Sequence, residues 1–250
     1  MRNVRAKKYL GQHFLNEPSI ASEIINLLNK NTQNVIEVGP GMGALTQILL
    51  KNNYTTHVVE IDKESVAYLK LNYPDLNIYE GDFLRLNIKK QYPFNFSLIG
   101  NFPYNISSQI LFKVLDNREQ ITEVVGMFQK EVAERIFCKQ GKGRGVLSVL
   151  LQTFYDIEYC LTVDQYVFIP PPKVKSGVLR LLRNNRKKLD VNENKFRRVI
   201  KAAFNQRRKK LSNALKVFEL INKSKVSDLL DLRAEQLSVE DFIKITSYVK

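Results

Sequence analysis

The sequence is short of the residues that build covalent or metal frameworks. Only two of its 250 residues are cysteines, Cys138 and Cys160, and only two are histidines, His13 and His57. Two isolated thiols make no disulfide lattice, and no Cys/His spacing matches a zinc site, so no metal is expected. No apolar run approaches the ~18 residues a membrane helix needs. The basic start, residues 1–8, lacks the apolar core of a signal peptide. A cytoplasmic protein without a membrane partner is expected. Internal repeats and low-complexity tracts are absent.

Negative charge is also scarce: 39 Lys and Arg face 25 Asp and Glu, a net charge of +14. The excess is concentrated. Residues 180–216 hold fourteen basic and two acidic side chains, and residues 1–8 add four more positive charges, while the remainder is close to neutral. Two basic patches on a neutral body are the footprint of a polyanion binder, most simply nucleic acid.

What is present, in place of metal ligands, is a series of short apolar strands that end in glycine, acid or amide. Val35-Ile36-Glu37-Val38 leads into Gly39-Pro40-Gly41-Met42-Gly43 and then a helix, the opening of a dinucleotide-type fold. Glu60 ends the next strand, near the ~20-residue offset of a ribose-binding carboxylate. The glycine run alone also passes as a nicotinamide fingerprint. Gly81-Asp82-Phe83 closes a third strand and Asn101-Phe102-Pro103-Tyr104 a fourth. In an open parallel sheet ligands bind beyond the carboxyl ends of the strands, which would bring Gly39, Glu60, Asp82 and Asn101 to one edge.

The Asn101–Tyr104 stretch is suited to a flat base with an exocyclic amine. An amide oxygen accepts from –NH2, proline fixes the backbone, and tyrosine offers a stacking face. Further along, helices are expected over 107–115, 130–137 and 146–154, a stiff loop over 168–173, and a last strand over 178–182. Composition changes at Asn184-Asn185-Arg186-Lys187-Lys188. The expected architecture is therefore α/β: a Rossmann-like catalytic domain over 1–184 with helices on both faces, and a small all-α basic domain over 185–250. The latter carries helices over 195–204, 209–218, 226–230 and 239–249, with Arg207, Arg208, Lys209 and Lys210 as RNA-binding candidates. Asn16 reads as the cap of the first helix, and His57 as structural.

These motifs together resemble the small-subunit rRNA adenine dimethyltransferases, the kasugamycin-resistance or dimethyladenosine transferase family. The likeness runs over nearly the whole chain. It includes Gly11-Gln12-His13-Phe14-Leu15, Glu37–Gly43, Glu60-Ile61-Asp62, Gly81-Asp82-Phe83-Leu84, Asn101-Phe102-Pro103-Tyr104-Asn105-Ile106-Ser107, Pro170-Pro171-Pro172-Lys173-Val174 and Ala203-Phe204-Asn205-Gln206-Arg207-Arg208-Lys209. The resemblance implies a class I methyltransferase fold with S-adenosylmethionine as cofactor. It also implies methylation of N6 on two adjacent adenosines in the 3′-terminal hairpin of 16S rRNA, in the small ribosomal subunit or its precursor. By the same resemblance His13, Leu15 and Gly39 line the methionine side of the cofactor pocket. Glu60 holds the ribose, Asp82 the adenine amine, and Asn101 stands between cofactor and target base. The family's usual Asn is His13 here, and its usual Leu is Phe102.

A flipped adenine would stack on Tyr104, with Phe168 as a second face, while Asn101 and the Phe102 carbonyl accept from N6. A monomer is expected. A 23S rRNA adenine methyltransferase of the macrolide-resistance type would share the catalytic motifs, but Phe204-Asn205-Gln206-Arg207-Arg208 favours the small-subunit family. An assembly factor with a vestigial pocket is disfavoured by the intact Gly39, Glu60, Asp82 and Asn101 set. A nicotinamide oxidoreductase leaves Asn101–Tyr104 unexplained.

Overall fold

Runs of β-branched and apolar residues form the strands, and amphipathic segments between them form the helices. The computed structural model describes residues 4–250, so Arg2 of the basic tail lies outside the described residues. The strands are β1 (Phe14–Leu15), β2 (Asn34–Val38), β3 (Thr55–Glu60), β4 (Asn77–Glu80), β5 (Phe96–Asn101), β6 (Ile121–Gln129), β7 (Tyr155–Val163), β8 (Phe168–Ile169) and β9 (Ser176–Arg183). The helices are α1 (Pro18–Asn26), α2 (Thr46–Lys51), α3 (Lys63–Asn72), α4 (Ile88–Gln91), α5 (Ser107–Asp116), α6 (Lys130–Phe137), α7 (Val146–Phe154), α8 (Glu193–Asn205), α9 (Leu211–Ala214), α10 (Ser227–Leu230) and α11 (Val239–Ser247).

The chain divides into two units, residues 4–133 with 156–183, and residues 134–155 with 184–250. In the first, seven strands make a sheet in the order β4-β3-β2-β5-β6-β9-β7. β2 pairs in parallel with both β3 and β5, whereas β9 returns antiparallel to β6. The order reverses beside β2, so the ends of β2 and β5 open the crevice where α/β sheets bind ligands. One face is sealed by α1 and α2, whose Ile24, Ile25 and Leu49 pack with Val35, Ile99 and Val125. A two-stranded ribbon pairs Phe14 with Ile169 and Leu15 with Phe168.

Several expectations shift. Glu17, not Asn16, caps α1: its carboxylate accepts from the Ser19 N–H and Pro18 takes the first helical position. The loop over 168–173 begins as a strand. Residues 209–218 hold only the short α9, because the following backbone pairs elsewhere: Leu220 bridges Val249 and the Ile221 N–H donates to the Tyr248 carbonyl. Residues 134–155, read from sequence with the first domain, group with the second unit. His57 packs its half-buried ring against Tyr92 and Phe94.

Two buried acids organise the first unit. Glu123 accepts from Arg180 Nε at 2.9 Å, from Ser97 Oγ at 2.8 Å and from the Asn29 N–H at 3.1 Å, tying the chain after α1 to the sheet. Glu37 accepts from Thr46 Oγ1 at 2.6 Å, and burial pushes its carboxyl up to about 8. In the second unit, α8 buries Phe196, Val199, Ile200 and Ala203, and Phe204 stacks on Phe242 of α11. The buried guanidinium of Arg144 donates to the carbonyls of Lys139 and Leu237. No helix among the described residues is long and apolar enough to cross a membrane.

Glycine is required where β5 and β6 lie beside Phe102. A Cβ on Gly126 would meet Phe102 Cε2 at 2.3 Å and the Phe128 ring at 2.8 Å. Gly126→Ala should therefore cost about 1–3 kcal/mol of stability, measured by chemical denaturation. Glu37 titrates far above its ordinary value of 4.5. Its neutral form is the one the fold favours, so its contribution is full below the unfolded value and is lost as pH rises through about 8. Thermal melts from about pH 6 to about pH 9 should fall more steeply for wild type than for Glu37→Gln.

Candidate active site

At the carboxyl ends of β2, β3, β4 and β5 lies a cavity of about 360 Å³, within the size range of a cofactor site. His13, Leu15, Gly39, Glu60, Asp82 and Asn101–Tyr104 all line it, although they come from five separate stretches of chain. The turn after β2 runs through Gly39 and Gly41 at positive φ, where L side chains are strained. A Cβ on Gly41 would also strike the Phe14 ring at 2.7 Å.

Glu60 is nearly fully buried at the end of β3. Its Oε2 accepts from the Gly41 N–H at 3.1 Å and its Oε1 from the Asp62 N–H at 2.8 Å, so each oxygen retains a lone pair for a ligand. Burial raises its pKa, against the pull of those hydrogen bonds. Asp82 accepts from the Leu84 N–H at 2.8 Å and pairs with Arg85 Nε at 3.6 Å. Phe83 is buried beside it, with Lys113 Nζ 5.6 Å from its ring centroid.

Asn101 ends β5. Its Nδ2 donates to the His13 carbonyl at 2.7 Å, which commits the amide nitrogen and leaves Oδ1 as the acceptor. The Phe102 ring is fully buried, 5.3 Å from Phe128, so this position offers the pocket backbone rather than side chain. Pro103 lies in van der Waals range of a Cβ built on Gly39, joining the glycine turn to the Asn101 turn. Tyr104 is held at both ends: its hydroxyl bonds Ser176 Oγ at 2.6 Å, and its ring stacks on His13 at 5.5 Å and 29°. Burial raises the Tyr104 pKa, so the phenol stays neutral at physiological pH. His13 Nδ1 in turn donates to the Pro170 carbonyl at 2.8 Å.

Other readings are corrected. Phe168 is 1% exposed and packs in the core with Leu15, so it presents no second stacking face. The basic cluster lies in the second unit and is not uniform. Arg207 donates to the Lys142 carbonyl and meets Glu235 Oε2 at 3.3 Å, and Lys210 pairs with Asp231 at 3.0 Å. All four side chains, Arg208 and Lys209 included, are exposed. Sequence reasoning missed Ser176, Lys7 and Gln12. Ser176 stands 72 residues from Tyr104 with no pattern to connect them. Gln12 lies inside the Gly11–Leu15 motif, where nothing local marks Asp62, 50 residues away, as its partner. Among the described residues no cluster of three or more His, Cys, Asp or Glu could hold a metal.

Comparison with known proteins agrees with this geometry. The family model described as ribosomal RNA adenine dimethylase matches residues 3–250. Two relatives are both called ribosomal RNA small subunit methyltransferase A. The one from Cytophaga hutchinsonii is 58% identical over 99% of this chain and 98% of its own, and the one from Flavobacterium johnsoniae 53% identical over 100% and 98%. A crystal structure of a dimethyladenosine transferase from Plasmodium falciparum superposes with a TM-score of 0.82 at 26% identity, covering 95% of this chain and 99% of that one. The 23S rRNA methyltransferase ErmE, at TM-score 0.74 and 21% identity over 94% and 99%, shares the fold. With a full-length model match and relatives above half identity, the chain belongs to the ribosomal RNA adenine dimethylase family.

Proposed function

We propose that this protein transfers methyl groups from S-adenosylmethionine to N6 of two adjacent adenosines in the 3′-terminal hairpin of 16S rRNA, in the small ribosomal subunit or its precursor. It does so as a cytoplasmic monomer contributing to ribosome biogenesis. Family membership and the relatives' shared name support the substrate class. The observation that carries the chemistry is the Asn101 amide, whose nitrogen is spent on the His13 carbonyl so that its oxygen is the group offered to an incoming amine.

The residues fit the donor. The Gly39–Gly41 turn lines the cavity without side chains, Glu60 keeps lone pairs for ribose hydroxyls, and Asp82 and Phe83 supply an acceptor and an apolar wall for a purine. When bound, the donor supplies an electrophilic methyl carbon on a sulfonium. The protein's part concerns the target nitrogen. Asn101 Oδ1 and the Phe102 carbonyl accept from N6–H, opposing delocalisation of the lone pair into the ring. They also favour the tetrahedral, cation-like nitrogen of the transition state over the planar ground state. Tyr104 stacks on the flipped base, held in place by Ser176 and His13. Holding the nitrogen in line supplies the rest. The surplus proton leaves N6 after the new bond forms, so no general base must act beforehand.

Asn101→Ala should lower single-turnover methylation by about 10²–10³-fold with a much smaller effect on donor affinity. Unchanged turnover would remove the role. Binding to rRNA should weaken steeply with salt, and Arg208→Ala and Lys209→Ala should each reduce the log–log salt slope by about one. Arg207→Ala should instead lower the melting temperature, because its guanidinium holds the Lys142 carbonyl and Glu235.

A further inference from the structure

Residues 7–13 form a strap along one side of the pocket, and Leu10, Gly11, Gln12 and His13 are among its lining residues. The strap is closed on itself. Lys7 N–H donates to Gln12 Oε1 at 2.8 Å, and the turn Lys8–Leu10 ends at Gly11 with φ +66°. No residue of that turn is buried. Apolar packing therefore does little to hold it, and polar anchors must.

Those anchors are few and unequal. Asn105 Nδ2 reaches the Tyr9 carbonyl at 3.5 Å, a long bond, and Asn101 Nδ2 holds the His13 carbonyl. At the far end of the strap His13 Nδ1 donates to the Pro170 carbonyl at 2.8 Å, and at its near end the anchor is Asp62, whose side chain is 1% exposed. It accepts from Lys7 Nζ and from Gln12 Nε2 at 3.3 Å, and Glu64 supports the same ammonium at 3.1 Å. Asp62 also accepts from Ser65 Oγ at 3.1 Å and the Glu64 N–H at 3.3 Å, which roots it in the first turn of α3. Its own N–H donates to Glu60 Oε1. One residue thus joins the strap and the start of α3 through its carboxylate, and the acid proposed to hold the ribose through its backbone N–H. Its burial disfavours the charged form, yet the hydrogen bonds from Lys7, Gln12, Ser65 and Glu64 hold its pKa below the ordinary range, so the latch is charged at neutral pH.

We infer that Asp62 is a positioning residue for the methyl donor: through Lys7 and Gln12 it latches the strap as a pocket wall, and release of that latch sets how fast donor and spent product exchange. This rests on the donor-pocket reading given above. Segments held by a handful of polar contacts with little buried apolar area open most readily, and among the strap's anchors Lys7 makes the ion pairs, to Asp62 and to Glu64.

The test measures dissociation of S-adenosylmethionine and S-adenosylhomocysteine by stopped flow from wild type, Asp62→Asn, Lys7→Ala and the double variant. Asp62→Asn keeps a side-chain oxygen to cap α3 and removes the charge. Lys7→Ala alters a partly exposed side chain and leaves α3 intact. Each single variant should release both molecules about tenfold faster, as expected for a lost charged hydrogen bond. The double variant should fall well short of the sum of the two, because both remove the Lys7–Asp62 contact, although Asp62 also holds Gln12 and Lys7 also meets Glu64, and Lys7→Arg should restore slow release. A merely structural role would not produce that coupling or that rescue. Additive effects, or unchanged release in both single variants with normal wild-type binding, would overturn this inference alone. Failure of wild type to bind either molecule would overturn the donor-pocket reading as well.

Discussion

The hydrogen bond from Asn101 Nδ2 to the His13 carbonyl fixes which end of an amide faces the pocket. An asparagine free to turn would present donor or acceptor with similar ease, and only the acceptor is useful toward an amino group. Much of the first unit can be read as support for this orientation. β5 carries Asn101 to the crevice beside β2, and Phe102 buries its ring beneath the turn between Gly100 and Gly126. On the other side, the ribbon of β1 with β8 sets the height of the His13 carbonyl. His13 therefore serves twice: its backbone orients Asn101, and its ring braces Tyr104 against the Pro170 carbonyl.

The electrostatics of the pocket follow from the same economy. Glu37 and Glu60 are both buried near the glycine turn, and each raises the pKa of its carboxyl by desolvation. Burial, against the opposing pull of the Thr46 hydroxyl, leaves Glu37 neutral over most of the physiological range. Glu60 instead accepts two backbone N–H groups, the arrangement that best tolerates a charge kept from water. Two acids 23 residues apart in sequence thus share a pKa raised by burial but meet different donors, a hydroxyl at Glu37 and a pair of backbone amides at Glu60.

Much of this was legible in the sequence, for identifiable reasons. Strand ends carrying Gly39, Glu60, Asp82 and Asn101 announce themselves because the parallel α/β topology brings successive strand ends to one edge. The partners of those residues were less visible. Ser176 reaches Tyr104, and Arg180 reaches Glu123, across 72 and 57 residues, and no local periodicity encodes such pairings. The β1–β8 ribbon is two residues per strand, too short for alternation to register. Charge counting found the basic segment but not its division of labour, since a guanidinium on a backbone carbonyl, as at Arg207, reads the same as one facing solvent. The helix expected over 209–218 failed because Leu220 and Ile221 pair with the C-terminal strand-like end at Tyr248 and Val249, a tertiary gain that outweighs local propensity.

The chain passes into the second unit at Glu134, returns to the sheet at Asp156 and leaves it for good after Arg183. A polypeptide severed at the compositional break near residue 184 would keep every strand of the sheet and yet not be a clean catalytic half. It would still carry α7, shorn of the α8 and α11 partners within its own unit. During synthesis the same holds in time: the first piece of the helical unit emerges before the last strands of the sheet and must wait some thirty residues for its own core. The two halves of this molecule are threaded through one another in sequence, so neither can be inherited, exchanged or trimmed as a simple cassette.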